Sequence, residues 1–223
     1  VTVQVLIQAH PARAELAEGL LDCLGAGEII YDPDPGAPPS PWRTYEACVR
    51  RGLELGTDSI LVIQEDVLVC GRFLEGVELA LAARPDNPVA FFVPGKLPAY
   101  INAIYRVRRD GGVWAELPTG SWCPVVATAW PRALAEGLLE WAATNRPPAW
   151  RADDEIAGRF LYYVNTPVMA TVPSLVEHPD TEPSVMNGHK RVGDGRDPGR
   201  RAYYFIGDEP GFGCDATVID WTR

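Results

Sequence analysis

The sequence predicts an α/β fold built on a mostly parallel, doubly wound open sheet with helices on both faces. Three observations carry this. Apolar runs of strand length alternate with segments of helical period from residue 1 to residue 94. The run Ser59–Gln64 (SILVIQ) is apolar throughout, as a central strand buried on both faces must be. Gly and Pro number 21 each among 223 residues, enough for long shaped loops but short of the share that marks disorder.

The elements follow in order. Val3–Gln8 is a buried strand. Pro11–Gly25 is a helix with Leu16, Leu20 and Leu24 four apart and Gly25 as its stop. Glu28–Tyr31 is a second strand, and the Pro-rich 32–41 stretch is a loop. Trp42–Gly56 is a helix, Ser59–Gln64 a strand, Phe73–Ala83 a helix closed by Pro85, and Pro88–Val93 a strand. The second half is less regular. Strands are expected around Ile101–Val107, Val113–Glu116 and Trp122–Ala129. Pro131–Ala143 is expected as a helix with Pro at its first position, Asp153–Tyr162 as a short helix with acids at its start, and Val168–Val172 as a strand. The whole is read as one domain, with a binding half at 1–94 and an irregular half at 95–223.

Composition excludes several classes. The net charge of −10 argues against a broad basic nucleic-acid surface while leaving room for a local patch. No apolar run reaches the roughly 18 residues of a membrane span, so no membrane partner is expected. The N-terminal VTVQVLIQAHP lacks a basic region and a cleavage site, so it reads as a strand and not a signal peptide. Five cysteines without a C-x-x-C pair point to reduced thiols and a cytoplasmic location.

The sharpest chemical signal is SILVIQEDV, an apolar strand ending in adjacent carboxylates, Glu65 and Asp66. Ligands in open α/β sheets bind outside the C-terminal strand ends. Carboxylates there can hold a hard divalent cation that grips a diphosphate. The bland alternative is an acidic loop or a helix cap. A second acidic run, Asp153-Asp154-Glu155, opens a helix; one of the three is a candidate catalytic base, and capping is the alternative role. The segment 186–201 carries a local charge of +3 and five Gly and Pro residues. It is a candidate mobile lid over a diphosphate, a contact for an anionic acceptor, or a solvated loop.

These motifs, in this order, resemble the metal-dependent, nucleotide-sugar glycosyltransferases of the GT-A fold. The resemblance implies a Rossmann-like sheet whose hydrophobic strand ends in a D-x-D-like triplet, here Gln64-Glu65-Asp66. It makes Asp66 the direct metal ligand and Gln64 the replacement for the family's first acid. LIQAHPAR would bring Ala9, His10 and Arg13 to the nucleotide, and YDPDP would bring Asp32 and Asp34. Arg43, by its place early in its helix, is a candidate to face the phosphates, with a solvated surface residue as the alternative. WRADDEIAGRF resembles the W-D-D stretch whose second acid is the base, here Asp154, with Asp153 as cap and Glu155 pointing away. PSLVEH resembles a family ending in which His178 is a late metal or diphosphate ligand. Lys190 and Arg191 would touch the donor, and Gly120, Ser121 and Trp122 would line the acceptor cleft.

The cofactor implied is Mn²⁺ (or Mg²⁺), the co-substrate a nucleotide-sugar such as a UDP-sugar, and the outcome inversion. The chain also resembles compact bacteriophage glycosyltransferases, some of which modify hydroxylated bases in phage DNA. Such an acceptor and a host-cytoplasmic location are therefore expectations of the resemblance. Two readings stand beside it: a metal-dependent nuclease or phosphotransferase using Asp66, Asp154 and Glu155, and a non-catalytic nucleotide-sugar-binding module.

Overall fold

The computed structural model describes residues 2–120, 122–148, 151–179, 200–208 and 215–223. Seven strands form one sheet: β1 (Val3–Ala9), β2 (Glu28–Tyr31), β3 (Ser59–Gln64), β5 (Val89–Ala90), β6 (Trp114–Leu117), β7 (Ala127–Pro131) and β8 (Val168–Thr171). A separate two-stranded ribbon pairs β4 (Leu68–Val69) with β9 (Val176–Glu177), antiparallel. The order across the large sheet is β2-β1-β3-β7-β5-β8-β6. β1 pairs in parallel with both β2 and β3, and β5 with β8, whereas β7 and β6 run against their neighbours. Five strands therefore share one direction, and the sheet is mostly parallel as expected.

The apolar runs explain the layering. Alternate residues of a strand face opposite sides. Leu6, Ile60 and Val62 enter one core, with Tyr45, Cys48 and Val49 of α2 (Pro41–Leu55). α4 (Pro98–Arg109), α5 (Arg132–Asn145) and α6 (Asp153–Tyr163) cover the same face. Val5, Ile7, Leu61 and Ile63 enter the other core, with α1 (Ala14–Leu24) and α3 (Phe73–Ala83). Both faces are covered, as a continuous apolar strand demands. None of the helices described is long and apolar enough to cross a membrane.

Local signals act where the sequence placed them. Gly25 takes a left-handed conformation (φ +69°) and its N–H donates to Leu21 O at 2.9 Å, ending α1. Ser40 caps α2, accepting from the Arg43 N–H at 3.4 Å, with Pro41 in the first turn.

The main departure is 101–107, expected as a strand and found inside α4. Its β-branched residues suggested strand, but Tyr100 and Ile104, four apart, are the buried positions, and Pro98 opens the helix. β7 covers only the end of the expected 122–129 strand. The 122–126 stretch runs up to it without pairing as a named strand. The expected 88–93 strand is reduced to two ladder residues, although Phe91 continues with backbone bonds from its own N–H to Ala127 O and from the Leu175 and Val176 N–H groups to its carbonyl. The β4–β9 ribbon has no counterpart in the sequence reading, because two-residue strands leave no period to read.

α6 is fixed by an unusually close backbone contact. A Cβ built on Gly158 would lie 2.3–2.5 Å from the backbone N, Cα and C of Trp122. The Cys123 N–H also donates to Asp154 O at 3.0 Å. Gly158→Ala is therefore expected to push α6 off the 122–123 strand approach. Chemical denaturation should show a loss of about 1–3 kcal/mol, the usual size of overpacking. An unchanged midpoint would mean that the contact relaxes at no cost.

Candidate active site

The strand order reverses between β2 and β3 about β1, so the crevice beyond the carboxyl ends of β1 and β3 is a topological switch point. A cleft of about 260 Å³ lies there. β1 and the turn after it bring Gln8, Ala9, His10 and Arg13; the α2 start brings Ser40, Pro41 and Thr44; the β3 end brings Gln64 and Asp66. Ala152, Asp153 and Asp154 at the α6 start, His178 after β9, and Arg200 complete the wall. Segments far apart in sequence thus meet at one edge of the sheet.

The two carboxylates after β3 are not solvated acids. Arg13 Nη1 donates to Asp66 Oδ2 at 2.7 Å and to Glu65 Oε1 at 3.1 Å. His178 Nε2 lies 3.5 Å from Asp66 Oδ1, and His178 is only 5% exposed. Burial pushes the Asp66 carboxyl up, but His178 and Arg13 outweigh it and hold Asp66 well below the usual carboxylate range. Glu65 goes the other way: burial and the neighbouring Asp66 charge raise it despite Arg13. Asp66 is the dependable anion of the pair. The alternative of a helix cap fails, since the next helix starts only at Phe73.

The α6 start has a different arrangement from the one expected. The N-cap is Ala152, not Asp153. Asp153 is the first helical residue and is 4% exposed, with Oδ2 accepting from Gln8 Nε2 at 3.1 Å and Oδ1 from the Asp154 N–H at 2.9 Å. Its place is a buried tie between β1 and α6, because Gln8 offers a donor that solvent cannot. Asp154 accepts a hydrogen bond from the Trp122 indole N–H on Oδ2. Its Oδ1 is buried without a partner. Burial raises the Asp154 carboxyl, opposed mainly by that indole bond. Glu155 pairs with Arg151 at 3.3 Å, with much of its side chain exposed, and does not line the cleft. Among the described residues no three His, Cys, Asp or Glu side chains are grouped to hold a metal. The trio Asp66, Asp154 and Glu155 of the nuclease reading is therefore not assembled.

The remaining expected residues divide. Ala9, His10, Arg13 and Gln64 line the cleft. His10 Nδ1 also accepts from the Ala12 N–H at 3.1 Å, a capping role within its turn. Asp32 and Arg43, expected at the nucleotide, are turned on each other: Arg43 Nε and Nη2 reach Asp32 Oδ1 and Oδ2 at 2.6 and 2.7 Å. Arg43 Nη2 also donates to Asp34 O at 2.8 Å, so the pair clips the 32–40 loop to α2. The Arg43 bond and burial act in opposite senses on Asp32, and the net effect lowers it. The Asp34 side chain is exposed beside this clip. Gly120 is described but does not line the cleft, and Trp122 packs on Tyr100 with ring centroids 5.6 Å apart. Ser121, Lys190, Arg191 and most of the 186–201 loop lie outside the described residues.

Gln8, Ser40 and Thr44 were missed, and Arg200 was read only as part of the 186–201 basic segment. Gln8 carried a signal: it is a polar residue at the end of an apolar strand, in register with Gln64 across the parallel pair. Its Oε1 and His178 Nδ1 are, with Asp154 Oδ1, buried polar atoms without a hydrogen-bond partner. Three such atoms around one cleft are uncommon, since each unsatisfied group costs about 1–3 kcal/mol.

No family model matches the sequence. No curated protein matches it either. Among solved structures the chain is similar to the crystal structure of A197 from STIV, at 15% identity over 80% of this chain and 85% of that one, with a TM-score of 0.48.

Burial raises Asp153 to about 6 despite its bond from Gln8. The folded chain thus holds this proton more tightly than the unfolded chain, whose aspartates titrate near 3.9. The stabilisation is full below about pH 4 and is lost as pH rises through about 6. Asp153→Asn should flatten that slope. Urea midpoints between pH 4.5 and 7 should show the wild type losing on the order of 1–3 kcal/mol more than the variant. Parallel pH profiles would show that Asp153 titrates normally.

Proposed function

We propose that the chain is a metal-dependent glycosyltransferase that moves a sugar from a nucleotide-sugar to an acceptor hydroxyl with inversion. The observation that supports this best is the cleft at the β1–β3 switch point, where Asp66 and His178 face it from one set of elements and Asp154 from another. An anion kept charged by Arg13 beside an imidazole nitrogen is a donor set for Mn²⁺ more than for Mg²⁺, which prefers oxygens. Two protein ligands fit the need: Asp66 Oδ1 and His178 Nε2 would hold the ion. The bound ion would neutralise the charge that develops on the departing diphosphate.

The chain's own residues perform the rest. Asp154 takes the proton of the acceptor hydroxyl while the Trp122 indole holds one of its oxygens, and so the carboxylate plane, fixed. Burial makes Asp154 a stronger base than a solvated aspartate. Asp153 and Gln8 fix the α6 start relative to β1, and hence the reach of Asp154 across the cleft. One carboxylate on the metal and another free on a separate element suit a single displacement. The donor is read as a UDP-sugar and the acceptor as a hydroxylated base of DNA, both carried by the resemblance of the motifs.

The reading is tested by incubating the protein with UDP-, GDP- and TDP-sugars and Mn²⁺ and measuring released nucleoside diphosphate, with and without hydroxylated DNA. Release that needs Mn²⁺ is expected. Asp154→Asn should keep donor affinity and lower turnover by about 10²–10⁴. Asp66→Ala should abolish the dependence of donor affinity on Mn²⁺ in calorimetry. Equal donor affinity in EDTA and Mn²⁺, or full turnover by Asp154→Asn, would refute the assignment.

A further inference from the structure

One face of the molecule departs from the charge of the rest. Residues 96–109 and 200–204 together hold six basic residues and no acidic one, in a chain of net charge −10; Arg109 pairs with the adjacent Asp110 and Arg201 with Glu177, so the excess rests on Lys96, Arg106, Arg108 and Arg200. The fold joins these segments. The Gly95 N–H donates to Arg201 O at 3.0 Å, the Tyr203 N–H to Val93 O at 2.9 Å, and Pro94 and Ala202 form an antiparallel bridge. Farther along, the Arg108 guanidinium lies over the Tyr204 ring, 4.0 Å from its centroid. The belt begins at the cleft, since Arg200 lines it and the Lys96 charge acts on Asp154. It ends at the last turn of α4, where Arg106 and Arg109 are exposed. From Leu97 to Arg109 a helix rises about 18 Å.

Helix-dipole compensation accounts for some basic charge in a last turn. It does not account for the aromatic rings interleaved with it. Tyr105 is 55% exposed and Tyr203 37%. Guanidinium groups and exposed rings along a track are the two components that bind a single strand: the cations meet phosphates and the rings stack on bases. An acidic peptide or a sulfated glycan would use the cations and leave the rings idle.

We propose that this belt binds single-stranded nucleic acid and leads it into the cleft beside Asp154. The inference deepens the glycosyl-transfer reading, on which it rests for the strand's role as acceptor; the binding surface itself does not depend on that reading. A strand can turn a base into the cleft without first breaking a duplex, which would cost a few kcal/mol.

The test uses fluorescence anisotropy with labelled dT20 and rU20, against a 20-base-pair duplex and a heparin fragment. One or both strands should bind more tightly than duplex. Affinity should fall about 20- to 50-fold between 50 and 200 mM salt, as three or four phosphate contacts require. Arg106→Glu with Arg109→Glu should weaken strand binding at least tenfold, and the milder Arg→Gln pair should weaken it in the same direction. Tyr105→Ala and Tyr203→Ala should each cost roughly tenfold on the strand and nothing on heparin, while Tyr105→Phe should bind as wild type. Thermal melts matching the wild type exclude misfolding.

No strand binding, tighter binding of duplex, or indifference to both tyrosines overturns the proposal. Mn²⁺-dependent release of nucleoside diphosphate in the absence of nucleic acid should be unchanged in all these variants, whereas any release stimulated by an acceptor strand should fall. If that release is absent from the wild type while strand binding holds, the cleft reading fails and the belt stands. If release occurs and no strand binds, the belt alone fails.

Discussion

Two adjacent carboxylates buried at the end of a central strand are the constraint around which this edge of the fold is arranged. Like charges at that spacing repel, and desolvation penalises each of them. Arg13 resolves the conflict by reaching both, and it can do so only because the turn after β1 sets it over the β3 end. The parallel register of β1 and β3, from Val3 against Ser59 to Gln8 against Gln64, is what makes those two ends coincide. His178 arrives third, carried by the short β9 ribbon that pairs with β4 just beyond the acids. Loss of any one of these placements would leave a charge buried without compensation.

Much of this edge was legible in the sequence because apolar strands punctuated by polar residues reveal both sheet position and strand end. SILVIQ followed by Glu-Asp could hardly end anywhere but at the rim. Asp153 and Asp154 could be read as a helix start, but not as two carboxylates with opposite fates. The difference is tertiary: Gln8 lies 145 residues away in sequence from Asp153, and Trp122 lies 32 residues from Asp154. The reading of Asp32 and Arg43 failed for a related reason. Both side chains suit a nucleotide, and only the folded loop reveals that they satisfy each other. α4 was misread because Ile, Tyr and Val favour strands locally, while the packing of Tyr100 and Ile104 rewards a helical period.

The carboxylates also illustrate how burial sorts chemically identical groups. Asp66 stays charged because Arg13 and His178 meet it. Asp153 is raised to about 6 by burial, although its partners, an amide and a backbone N–H, favour its charged form. Asp154 lies between, with one oxygen held by an indole and the other unmatched. The different proton affinities follow from these neighbours, since all three side chains are the same.

The reversed direction of β7 has a consequence of its own. β7 runs antiparallel between β3 and β5, with Ala127 beside Ile63 and the Gln64 N–H donating to Val126 O at 2.9 Å. The chain therefore enters this strand at the same rim where β1 and β3 finish. The approach to β7 carries Trp122 to Asp154, while β1 to β3 carry the Asp66 end of the cleft. The two ends are thus separately editable: the stretch between β6 and β7 can lengthen, shorten or change its side chains without disturbing a single bond of the β1–β3 pair. An antiparallel strand set inside a mostly parallel sheet gives this architecture a hinge point for diversification, at which one wall of the cleft can change while the other stays fixed.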